Sequence, residues 1–235
     1  MVSVLVVHGA GSSPAVAQAA FAGATAAGGS VRAFWLAGHG GLAPPPPADD
    51  GAQDRATLAS AVVRLRPDIV AGISYGAHQV ARWAAERPAE RHGVSSLALL
   101  LPAWTGPPDA TAAATEAQAD EFARIGVPRA LERIVTAHPG WIADTLTQSW
   151  PQHDPDGIVA ALRAVAHTSG PDEQALGAID LPTTVVALAG DPLHPAEVAA
   201  LWARSIPGAK LTTVVATCLA DLGAAALAAS VSGSR

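Results

Sequence analysis

A chain of 235 residues is long enough to bury roughly three-quarters of its unfolded surface in one α/β domain. Its net charge of −6, with 14 scattered Lys and Arg residues, offers no footprint for a phosphate backbone and argues against nucleic acid as a partner. A single cysteine, Cys218, excludes an internal disulfide and any repeated cysteine spacing for a metal.

The opening MVSVLVVHGA lacks a basic signal-peptide start and is far too short to cross a bilayer. It predicts a first strand, Ser3 to Val7, and a cytoplasmic protein with no membrane contact. A helix over Ala15 to Ala27 and a strand over Val31 to Leu36 follow. The proline-rich LAPPPPADD, Leu42 to Asp50, reads as an extended surface connection. Next come a helix over Arg55 to Leu65, a strand at Ile69 to Ile73, a helix over Tyr75 to Glu86 and a strand at Ser96 to Leu101. The alternation then breaks. Helical segments at Ala110 to Ile125, Pro128 to Ala137, Trp141 to Trp150 and Asp156 to His167 succeed one another, separated at GVP, HPG and WPQHDPDG. Strands at Thr183 to Leu188 and Leu211 to Val215, with helices over Pro195 to Ser205 and Ala220 to Ala229, restore it.

Continuous apolar runs suit strands covered on both faces. Their alternation with helices predicts an α/β fold, a doubly wound, mainly parallel sheet of about six strands with right-handed crossovers. The break divides the chain into a core, 1–103 and 180–235, and a helical insertion, 104–179. That insertion begins just past a strand's C-terminal end, the edge where open α/β sheets bind ligands, so it is placed to act as a cap or lid.

Chemistry concentrates in GISYGAH, Gly72 to His78. G-x-S-x-G between a strand and a helix is the setting of a nucleophile elbow. Small flanking residues permit a sharp turn that lifts the Ser74 hydroxyl above the sheet, and the helix N-terminus favours developing negative charge. The same five residues also make an ordinary structural turn. VLVVHGAGSSP precedes this motif and VVALAGDPLHP follows it. Together, in this order and with the helical segment between the last two, they resemble the α/β-hydrolase superfamily over almost the whole chain. The likeness begins at that family's third strand, without its two leading antiparallel strands. It implies that Ser74 attacks a carbonyl, that the backbone N–H groups of Ala10 and Tyr75 cradle the oxyanion, and that Asp191 orients a histidine.

The departure lies near the C-terminus. The family's histidine follows the last strand, but LTTVVATCLADLG has none, and Cys218 and Asp221 occupy the stretch. A serine without a base is a weak nucleophile. His194, in the loop of Asp191 and just before Pro195, is the expected base; capping the next helix is its alternative role. His78, His39 and a histidine of the insertion are the other candidates for the base; His78, on the helix after Ser74, otherwise reads as a core histidine. His8 and His39 read as loop residues that brace the backbone or contact substrate. Trp104, Trp141 and Trp150 either line an apolar pocket or pack the insertion onto the core. His92, His138, His153 and His167 fall on connections or the insertion, and Cys218 reads as a small buried hydrophobe. No metal or cofactor is expected: no histidine pair has metal-binding spacing, GAGSSP lacks the later glycine of a dinucleotide loop, and no lysine completes a phosphate loop.

Two functions remain, each with a small-molecule partner. One is a serine-type hydrolase of a small, largely apolar ester, thioester or related carbonyl compound, working through an acyl-enzyme. The other is a non-hydrolytic protein of the same fold, binding a ligand or performing lyase or cyclase chemistry. The elbow and Asp191 favour the first, and the missing histidine favours the second.

Overall fold

The computed structural model describes residues 1–46, 49–91, 93–137 and 140–231. Runs rich in Val, Leu and Ile between turn residues become six strands: β1 (Ser3–Val7), β2 (Ser30–Ala33), β3 (Ile69–Ile73), β4 (Ser96–Leu100), β5 (Thr183–Leu188) and β6 (Lys210–Val214). They pair in the order β2-β1-β3-β4-β5-β6, every pair parallel. The helices among the described residues are α1 (Pro14–Ala20), α2 (Ala22–Ala26), α3 (Ala52–Leu65), α4 (Tyr75–Glu86), α5 (Ala110–Ile125), α6 (Val127–Ala137), α7 (Trp141–Ser149), α8 (Pro155–Ala166), α9 (Glu173–Gly177), α10 (Ala196–Ser205) and α11 (Leu219–Val231).

Strand side chains alternate between faces, so each face buries its own set. Leu5, Val7, Leu97, Leu99 and Val185 pack under α3, α4 and α10. Val4, Val6, Ile69, Ala98 and Val186 pack under α1, α2 and α11. The sheet is therefore doubly wound, as the alternation of elements predicts. Each fully buried aliphatic side chain contributes about 1.5–3 kcal/mol. Between β4 and β5, helices α5, α6 and α8 enclose a third core built on Phe122, Trp150, Ile158 and Leu162. The short α9 instead packs on α4 and α10, with Leu176 in the main core.

Three elements differ from the sequence reading, the unexpected short α9 among them. Strand β2 stops at Ala33 rather than running to Leu36, because the next backbone donors are taken by side chains: Leu36 N–H by His8 Nε2 at 3.2 Å and Ala37 N–H by Asp54 Oδ1 at 2.9 Å. The single helix expected over Ala15 to Ala27 is broken at the buried Phe21, with φ −106° and ψ 23°. Gly223 of α11 packs so closely against the carbonyl of Ala20 that a Cβ there would overlap it. No helix among the described residues is long and apolar enough to cross a membrane.

Candidate active site

Register brings the first two motifs together. Val7 of β1 pairs with Gly72 of β3, so the residues that follow each strand, His8 to Gly11 and Ser74, emerge side by side at the C-terminal edge. Ser74 alone connects β3 to α4, at φ 55° and ψ −121°. Such a conformation costs an L-residue about 1–3 kcal/mol and is held by its surroundings. Ser74 N–H donates to Leu100 O at 2.8 Å, and Ala77 N–H donates to Ser74 O at 2.8 Å. Glycine is obligatory on both sides, since a Cβ on Gly72 would overlap the backbone of Gly76, and one on Gly76 would overlap Val7 O and His8 O. The turn leaves Ser74 partly exposed.

The third motif reaches the same point from β5. Asp191 follows that strand by three residues, and its Oδ1 accepts the N–H groups of Leu193 at 2.9 Å and His194 at 3.3 Å. This small turn folds the His194 ring back over its own acid: Nδ1 lies 2.7 Å from Asp191 Oδ2, and Nε2 lies 2.9 Å from Ser74 Oγ. Half-burial pushes the Asp191 carboxyl up, but its bonds and charge attraction to His194 and the two backbone donors outweigh that and hold it below the usual range. A carboxylate only accepts, so His194 Nδ1 carries the ring proton and Nε2 is left to accept from the Ser74 hydroxyl. Acid and imidazole thus come from one loop, three residues apart. Near the elbow, the N–H of Tyr75 opens α4, where a helix has no internal acceptor to offer. Neither it nor the N–H of Ala10 is engaged by a backbone or side-chain acceptor among the described residues. Gly9 packs against the turn, where a Cβ would come within 3.2 Å of Ser74 Cβ.

A family model described as the alpha/beta hydrolase family matches residues 4–223. The chain is a member of the α/β-hydrolase family. Structures similar to it include the enol-lactonase from Burkholderia xenovorans LB400, 17% identical, covering 98% of this chain and 89% of that one with a TM-score of 0.74. MenH from S. aureus is 17% identical, covers 99% and 94%, and has a TM-score of 0.76. A thermophilic esterase from Thermogutta terrifontis is 20% identical, covers 99% and 88%, and has a TM-score of 0.71. At these identities the likeness is one of fold. No curated protein matches the sequence.

In this α/β-hydrolase the other buried histidines among the described residues bond to backbone, His78 through Nε2 alone. His78 is buried, and its Nε2 accepts the N–H groups of Ala103 at 3.1 Å and Trp104 at 3.4 Å, fixing the chain as it leaves β4. Burial lowers it to about 3. His8 and His39 are buried with both ring nitrogens bonded to backbone, so they brace loops and have no nitrogen free for a substrate. His153 is similarly engaged, while His167 is exposed beside Glu116. His92 and His138 lie outside the described residues, as do Pro47 and Ala48 of the proline-rich connection. Cys218, expected to be buried, is exposed: Asp221 Oδ2 draws the N–H groups of Thr217 and Cys218 into a turn at the start of α11. Where the family's histidine was expected, the chain therefore closes a helix start.

Of the tryptophans, Trp104 is buried against His78, and Trp150 packs edge-on against Phe122 inside the insertion. Trp141 lies partly buried against the core face that contains Ile73 and Leu188. None of the three lines the cavity beside Tyr75. That cavity, about 770 Å³, lies between the β2–α3 connection and α8, with His39, Asp54, Tyr75, Ala164, Val165 and Thr168 in its wall. Tyr75 is the residue after Ser74, and Ser74 itself is not in the wall. Asp54 is a functional candidate that the sequence reading missed. Burial pushes its carboxyl up to about 6, although it accepts the Ala37 N–H. Nothing local to ADDGAQDRA marks it out, because its environment is made by Ala37, in the connection after β2, and by Tyr75. No group of three or more His, Cys, Asp or Glu side chains among the described residues could hold a metal ion.

Proposed function

We propose that the chain is a serine hydrolase of a carboxylic ester, thioester or related carbonyl compound. The observation that carries this reading is the 2.9 Å approach of His194 Nε2 to Ser74 Oγ, within general-base range. As Ser74 Oγ attacks the carbonyl carbon, His194 takes the hydroxyl proton and Asp191 stabilises the imidazolium. The N–H groups of Ala10 and Tyr75 take the charge of the oxyanion. Collapse of the adduct expels the leaving group, which leaves with the proton from His194, and water then repeats the sequence to free the acid from Ser74.

A small substrate suits the cavity next to Tyr75, whose wall sets Ala37, Ala160, Ala164 and Val165 against Asp49, Asp50, Asp54 and Thr168, so an apolar body with a polar end fits it best. The esterase and lactonase among the structural neighbours support carbonyl chemistry of this class. The non-hydrolytic reading drew on the missing C-terminal histidine, and His194 supplies that imidazole from another loop. Labelling by a fluorophosphonate probe, with hydrolysis of a short p-nitrophenyl ester, tests the assignment. The parent is expected to label and Ser74→Ala is not; His194→Ala is expected to hydrolyse about 10²–10⁴-fold more slowly than the parent. A parent that neither labels nor exceeds the buffer rate returns the protein to the non-hydrolytic reading, ligand binding or lyase or cyclase chemistry.

A further inference from the structure

Three imidazoles grip three successive peptide groups beside Ser74. Leu36 N–H donates to His8 Nε2 at 3.2 Å, which leaves His8 Nδ1–H to donate to Gly9 O at 2.8 Å. Gly11 N–H donates to His39 Nε2 at 3.0 Å, while His39 Nδ1–H donates to Ala37 O at 2.9 Å. Gly40 N–H donates to His153 Nδ1 at 3.0 Å, which leaves His153 Nε2–H to donate to Gly11 O at 3.2 Å. Every ring uses one nitrogen as donor and the other as acceptor, so each is required neutral. Burial favours that state in all three and lowers His8 to about 4.

In a trans peptide the C=O and the N–H point in opposite directions. Gly9 O and Ala10 N–H belong to one peptide, so the bonds that the oxygen accepts, from His8 Nδ1–H and from Ser12 N–H at 3.1 Å, set the direction of the N–H. Gly11 N–H belongs to the next peptide and Gly11 O to the one after. The three histidines come from separate places: His8 from the loop itself, His39 from the β2–α3 connection, and His153 from the helical insertion, just before α8. Their rings pack edge to face around Trp35, with His8 and His39 centred 5.1 Å apart and His39 and His153 5.4 Å apart. A Cβ on Gly40 would come 2.6 Å from the Trp35 ring, so the connection carrying His39 has one seat.

We propose that His153 is a positioning residue for acyl transfer: from the insertion, it completes with His8 and His39 a rack that aims the Ala10 N–H at the oxyanion. The inference rests on the serine-hydrolase reading. His153 acts through Gly11 and touches no reacting atom. The insertion then sets the geometry of the oxyanion hole. Because the bond to the oxyanion strengthens in the transition state, a loosened rack lowers kcat and leaves KM nearly unchanged.

The test compares the parent with Ser74→Ala, His153→Phe, His153→Asn and His153→Gln, all as full chains. It reads kcat and KM for a p-nitrophenyl ester, the affinity for phenylboronic acid, which forms a tetrahedral adduct on a serine, and the melting temperature. A Gln amide nitrogen takes the place of Nε2 and reaches Gly11 O, whereas Asn fills only the place of Nδ1. Removing an oxyanion donor outright costs about 10²–10³-fold, so misaiming one by His153→Phe or His153→Asn is expected to cost about 10–100-fold in kcat. Boronate affinity falls in parallel, and His153→Gln recovers most of both. If His153→Phe keeps kcat and boronate affinity while Ser74→Ala is inert, the rack has no role and the hydrolase reading stands. If Asn and Gln lose activity equally and in step with melting temperature, His153 is structural only. If Ser74→Ala hydrolyses like the parent, the hydrolase reading and the rack fall together.

Discussion

At Asp191 the two carboxylate oxygens have separate tasks. Oδ1 holds the turn through Leu193 and His194 N–H, and Oδ2 faces His194 Nδ1. Asp191→Asn separates them, since the amide oxygen still accepts the two backbone donors while the amide nitrogen faces Nδ1 with a proton. The ring then carries its own proton on Nε2 and has no lone pair for the Ser74 hydroxyl. We expect kcat for a p-nitrophenyl ester to fall by about 10⁴-fold, as loss of the acid does in other serine triads, with little change in melting temperature. A small fall in kcat would mean that the acid is not needed to set the tautomer. The residue types of this pair were legible in GDPLHP, and His194 was the expected base for Ser74; the distance of approach was not legible, because it depends on how a short loop crosses the end of β4.

Among the elements, the elbow and helix α8 make separate demands. The elbow has no room for a methyl group at Gly76, so Gly76→Ala forces β1 and α4 apart. It is expected to destabilise the fold by roughly 1–3 kcal/mol, read as a shift in urea midpoint. Helix α8 presents Ala164, only partly buried, to the cavity beside Tyr75. Ala164→Trp is expected to push an indole into that space and raise KM for a bulky ester several-fold at unchanged kcat; an unchanged KM would show that substrate binds elsewhere. Strand and helix identities were readable because each element repeats a local pattern. The end of β2 and the break at Phe21 were not, because His8, Asp54 and Gly223, all distant in sequence, decide them.

Over the whole molecule, the buried histidines tie stability to pH. His8, His39, His78 and His153 all have folded-state values below the ordinary 6.5, with His8 at about 4 and His78 at about 3, chiefly through burial. A depressed value stabilises the fold above pH 6.5, and that contribution is lost as pH falls towards the folded values. Asp54, raised to about 6, works the other way: its contribution is present at low pH and is lost as pH rises from about 4 to 6. Four groups oppose one, so melting temperature is expected to fall steeply between pH 6.5 and 4. His78→Gln, which keeps an acceptor for Ala103 and Trp104 and cannot be protonated, flattens that fall. A melting temperature that holds steady to pH 4 would rule out neutral buried imidazoles as the cause of acid sensitivity.

The sequence by itself determined the six strands, their alternation with helices, the helical interruption and the seat of Ser74. These follow from apolar runs, helical periodicity and glycine spacing within a few residues of one another. Only the tertiary structure decided which imidazole approaches Ser74, that His8 and His39 face backbone, and that His153 reaches 142 residues back to Gly11. Each of those contacts joins segments far apart along the chain. Their distances are set by parallel strand register and by the docking of the insertion on the sheet edge, and neither leaves a periodic mark in the residues it brings together.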